Sequence, residues 1–111
     1  MLKILEKTDE LVNLITESKE YKKYQSIKDK MKKDEEIMAL VEEVKTLQKE
    51  AVKKASKNES TENLDKTINE KLAILNKFPI YQEYLSIEEE INVILQTVKN
   101  TIENYINKAI Q

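Results

Sequence analysis

The chain has 111 residues, 36% of them charged and 40% apolar, with a net charge of −2. It has no Cys, no His and no Gly, and all 19 basic residues are Lys. These absences remove disulfides, thiolate metal and iron–sulfur sites, catalytic thiols, a histidine base, a glycine-rich phosphate loop and every Arg fork.

A mixture rich in Lys, Glu, Leu and Ile belongs to long helices and coiled coils, and it is apolar enough to bury a core. No cofactor and no metal site is expected. The charge is uneven: residues 1–57 carry net +2 and residues 58–111 net −4. No apolar run approaches the roughly 18 residues of a membrane span. The N-terminus lacks the apolar core of a signal peptide. The expectation is a cytoplasmic protein that does not use a membrane.

Taken in order, Leu2, Leu5, Leu11, Val12 and Ile15 give a first helical pattern over about 2–17. Ser18 offers a cap to a second helix, about 18–32, which sets Tyr21, Tyr24, Ile27 and Met31 on one stripe. Asp34, with Glu35 and Glu36 behind it, marks a third start. The join at 32–34 reads equally as a break or a bend.

Ile37, Leu40, Val44, Leu47 and Ala51 alternate spacings of three and four, a coiled-coil-like seam over about 34–57. Asn58 suits a left-handed helix end, and Ser60 or Thr61 a new cap. Leu64, Ile68, Leu72 and Leu75 form the fourth stripe, about 61–77. Pro79 starts the last helix, about 79–109. Its stripe runs through Tyr84, Ile87, Ile91, Ile94, Val98, Ile102 and Tyr105.

The expected fold is therefore all-α: one elongated helical domain over 1–111 with long antiparallel helices. A helix over 79–109 would be about 46 Å long. A compact domain of this size is only about 35 Å across. The stripe does not stop where the overhang would begin, so a second copy of the chain is the expected cover, in an intertwined homodimer. The alternative is a monomeric bundle with a frayed or kinked last helix.

YKKYQSI at 21–27 and YQEYLSI at 81–87 match at both Tyr, the Ser and the Ile. Packing is the plain reading, with Tyr21, Tyr24, Ile27, Met31, Tyr81, Tyr84, Ile87, Ile91, Ile94, Val98, Ile102 and Tyr105 as packing or dimer residues. A duplication has little support here, since the match fades beyond Met31 and Ile91. Whether the two copies meet within one chain or between chains is open at this level.

The first copy is flanked by Lys19, Lys22, Lys23, Lys30 and Lys33, the second by Glu83, Glu88 and Glu89. These charges are candidates for a partner surface. The Lys-rich helix 19–33 also admits an RNA-binding accessory role. The lack of Arg and the interrupting acids argue against direct nucleic-acid binding. An enzyme restricted to Lys, Asp, Glu, Ser, Thr or Tyr is a third class. Consecutive Glu88, Glu89 and Glu90 point about 100° apart on a helix and do not converge.

ITESKEYKKYQ, DEEIMALVEEVKTLQKE and FPIYQEYLSIEEEINVILQTVKNTIENYI, in that order, resemble the YlbF/YmcA family of small bacterial proteins over about residues 3–110. The resemblance implies an intertwined all-α dimer without catalytic residues. It also implies regulation of competence, sporulation and biofilm formation, with some members assisting ribonuclease Y in messenger RNA maturation. The implied partners are other proteins, among them a paralogue or an RNA-processing complex. Family members that ligate iron–sulfur clusters do so through Cys, which this sequence lacks. The sequence thus points to a non-catalytic regulatory adaptor that works through protein–protein contacts.

Overall fold

The computed structural model describes all residues, 1–111, and is all-helical, with 87% of them in five helices. These are α1 (Leu2–Thr16), α2 (Lys19–Lys32), α3 (Glu35–Ser56), α4 (Glu62–Leu75) and α5 (Pro79–Ile110).

The helix ends follow from local chemistry. Ser18 Oγ donates to the Ile15 carbonyl at 2.6 Å and accepts from the Tyr21 amide at 3.2 Å. One hydroxyl therefore closes α1 and caps α2. The join at 32–34 is a break. Asp34 is extended (φ −91°, ψ 103°) and its carboxylate accepts from the Ile37 amide at 3.1 Å. Glu35 and Glu36 then sit at the positive end of the helix dipole.

At the end of α3, Asn58 takes φ 59°, the one positive φ in the chain. That reversal lets the Glu59 amide reach the Lys54 carbonyl at 2.9 Å. Thr61 is the N-cap residue of α4 by position, but its hydroxyl donates to Asp65 instead of capping. Ser60 Oγ accepts from the Glu62 amide at 3.4 Å. Pro79 opens α5, where a missing N–H costs nothing. The Gln82 amide reaches back to the Asn76 carbonyl and ties this turn to the end of α4.

The chain divides into two units. One comprises Ile27–Glu83: the end of α2, all of α3 and α4, and the first turn of α5. Here α3 and α4 pack along each other. Ile27, Met31, Ile37, Val44, Ile68 and Leu75 are buried, Ile37 and Leu75 almost completely. Each such side chain contributes about 1.5–3 kcal/mol of apolar burial. The Lys71 ammonium pairs with the Glu43 carboxylate across the two helices.

The other unit comprises Met1–Ser26 with Tyr84–Gln111: α1, the first half of α2 and most of α5. Its buried residues are Ile87 and Ile91, and α1 buries none. No buried side chain in either unit is polar or charged.

Helix positions extend the repeat seen in the sequence. Helix α4 begins sixty residues after α1, and α5 begins sixty residues after α2. The two Tyr-Tyr-Ile copies are thus each preceded by a short helix and a tight turn. Ile27 and Ile87 are both buried, as are Met31 and Ile91.

Candidate interaction surface

The two copies of the repeat meet within one chain. Tyr24 and Tyr84 lie in the same unit, their rings 5.8 Å apart at 31°. The rings of Tyr21 and Tyr24 lie 5.9 Å apart at 45°. Tilted pairs at this distance suit the ring quadrupoles. The Gln25 amide donates to the Tyr21 hydroxyl at 3.0 Å.

The acidity of Tyr84 is strongly altered. Burial pushes its phenol well above the ordinary value, and hydrogen bonds with Glu88 and Tyr24 add to the shift. One α-helical turn explains the arrangement: Tyr84 and Glu88 are four residues apart on one face of α5. A phenol held protonated in this way is a structural hydrogen-bond donor, not a base.

The remaining candidates separate by position. Tyr21, Tyr81, Ile94 and Val98 are half-buried, and Ile27, Met31, Ile87 and Ile91 are buried. Ile102 and Tyr105 stay open, at 47% and 73% exposure. Lys19, Lys22, Lys23, Lys30, Lys33, Glu83 and Glu89 are exposed, and Glu88 is half-buried at its bond to Tyr84. The contact between the copies is made by Tyr24 and Tyr84, with Glu88 bonded to Tyr84 from the same helix.

No three acidic side chains converge as a metal site, and no helix is long and apolar enough to cross a membrane. The chemistry on offer is apolar contact. Of the fifteen large hydrophobic side chains that remain exposed, thirteen lie in the unit of α1 and distal α5. That concentration makes this unit the candidate for an interaction surface. Ile4 and Leu11 of α1 line a shallow cleft with Ile102 of α5.

Leu2, Leu5, Val12 and Leu14 of α1 are exposed. So are Leu95, Ile106 and Ile110 of α5. These three belong to the surface but not to the main stripe of α5. A second row of apolar residues, Leu95–Ile102–Ile106, is the signal that could have found them.

The family model described as "Control of competence regulator ComK, YlbF/YmcA" matches residues 4–107. The chain is 27% identical over 109 residues to "Uncharacterized protein YmcA" of Bacillus subtilis (strain 168), covering 96% of this chain and 76% of that protein. It is 29% identical to a "UPF0342 protein" of Caldicellulosiruptor bescii, covering 87% of this chain and 82% of the relative. A "UPF0342 protein" of Caldicellulosiruptor saccharolyticus is 30% identical, over 84% of this chain and 78% of the relative.

Proposed function

The chain belongs to the YlbF/YmcA family, and from that premise we propose that it is a non-catalytic adaptor which regulates by binding other proteins, itself included. The family's description, control of a competence regulator, supports a regulatory role. One observation carries the mechanism: the uncovered apolar side chains are gathered in the unit of α1 and distal α5. An aqueous face of that kind costs free energy until another surface covers it.

Self-association is the first step of this reading. It leaves the exposed charges of the two repeat copies free for a second protein, such as a paralogue or a component of an RNA-processing complex. Light scattering on a gel-filtration column at micromolar concentration is expected to give twice the 13.0 kDa chain mass. A well-folded monomer under those conditions overturns the self-association. RNA titrated at low salt is expected not to bind. Binding that weakens steeply with salt would instead support an RNA role for the Lys-rich α2.

A further inference from the structure

We propose that the outward face of α2 docks an acidic helical segment of another protein; this rests on the adaptor reading above and names the partner's chemistry. Lys19, Lys22, Lys23 and Lys30 form the site, and Lys33 extends it in the turn beyond the helix.

The row is set by one helix alone, since α2 is unbroken from Lys19 to Lys32. At about 100° per residue, Lys19, Lys22, Lys23, Ser26 and Lys30 fall within an arc of about 100° around its axis. All five are exposed. Tyr21, Tyr24, Ile27 and Met31, buried or half-buried, lie outside that arc. Glu20 and Asp29 interrupt the lysines in sequence, yet on the helix they fall on the two flanks of the arc. None of Lys19, Lys22, Lys23, Lys30 and Lys33 forms an ion pair or side-chain hydrogen bond within the chain.

Packing does not ask for these lysines. The second copy of the repeat keeps the inward positions, with Tyr84, Ile87 and Ile91 for Tyr24, Ile27 and Met31. Where the first copy has Lys19, Lys22, Lys23 and Lys30, it has Pro79, Gln82, Glu83 and Glu90. The same inward pattern is thus built without one lysine on that face. Lys19, Lys22 and Lys23 also stand in the first two turns of α2, at the positive end of its dipole, and three or four residues apart. Both placements repel. A row that strains its helix electrostatically and serves no packing fits a partner that neutralises it.

Two observations favour carboxylates on a helix over the phosphates of a nucleic acid. The rings of α2, Tyr21 and Tyr24, are engaged with each other and with Tyr84, so the lysine face offers no ring to a base. Lys23 and Lys30 are seven residues apart, about 10.5 Å, which is one heptad and the interval at which acids recur along a facing helix.

The probe is a labelled, alanine-rich helical peptide of about 21 residues with Glu at i, i+4, i+7 and i+11. At about 20 mM salt it is expected to bind the full chain, and to bind roughly tenfold more weakly at about 150 mM. Lys23→Glu with Lys30→Glu is expected to weaken binding at least roughly fivefold, with Lys23→Gln and Lys30→Gln in between. Lys53→Glu with Lys57→Glu, the same change of charge at the end of α3, is expected to weaken it less than about twofold. The Lys23→Glu, Lys30→Glu chain is expected to bind the same peptide with Lys in place of Glu.

No binding of the Glu peptide at low salt overturns the proposal, as does an equal loss in the two paired Glu variants. So does an oligouridylate that binds more tightly than the peptide and is lost with Lys23 and Lys30. A dimer that ignores the Glu peptide overturns this docking site alone. A monomer that binds it overturns the self-association alone.

Discussion

Tyr24 and Tyr84 occupy the same place in two copies of one short motif, and their rings touch at 5.8 Å. The contact joins α2 to α5. The Tyr84 hydroxyl is bonded to Glu88 and Tyr24 and is held protonated well past the ordinary range.

That shift has a sign. A phenol whose folded pKa lies above its unfolded value stabilises the fold below the unfolded pKa, near 10.0. The stability is lost as pH rises through the folded pKa, because the unfolded chain releases the proton first. Chemical unfolding followed from pH 8 to 11 should show a decline beginning near pH 10. Tyr84→Phe keeps the ring, removes the titration and should decline less over the same range. At pH 7 its cost should be about 1 kcal/mol, the usual net value of one hydrogen bond.

The α3–α4 contact should be the mechanical centre of its unit. Ile37 and Leu75 are 0% and 1% exposed. Replacing either with Ala should cost about 2–5 kcal/mol in urea unfolding, from lost burial and a residual cavity. Val52, also on α3 but 71% exposed, is the control. Its replacement by Ala should change stability by no more than about 0.5 kcal/mol.

Two helix ends give smaller, opposite-sense tests. Asp34→Ala removes the acceptor for the Ile37 amide and should cost about 0.5–2 kcal/mol in thermal melting. Asn58→Gly should be neutral or mildly stabilising, since φ 59° carries no steric cost for Gly. Asn58→Val should destabilise by about 1–2 kcal/mol, because a branched side chain resists that backbone.

The Lys71–Glu43 pair should matter little. Its side chains remain 29% and 51% exposed, so solvent screens them. Glu43→Gln should cost under about 1 kcal/mol. The loss should shrink further in 1 M salt, where the screening length is about 3 Å. A larger effect in high salt would mean that Glu43 holds α3 and α4 by more than charge.

Much of this architecture is local and was therefore legible. Asp34 before two Glu, Asn58 at a chain reversal and Pro79 before a long stripe each act on the backbone within a turn of their own position. Such signals need no partner, so periodicity and capping residues carry them. The extended repeat was less visible. Helix α4 repeats the place of α1, but most of their residues differ; what recurs is helix length and turn position. Leu95, Ile106 and Ile110 were missed because attention to the strongest stripe of a helix hides a second one beside it.

The sequence by itself determined five helices, their main breaks and the lack of any residue set for redox, thiol or histidine chemistry. Only the tertiary structure decided that Tyr24 meets Tyr84 within the chain. It alone decided, too, that α4 is covered by α3 while α1 buries none of its residues. The reason is physical. An apolar stripe states that a helix gains by being covered, since burial is favourable and non-directional. Which surface does the covering depends on where the rest of the chain lies, and no single stripe contains that.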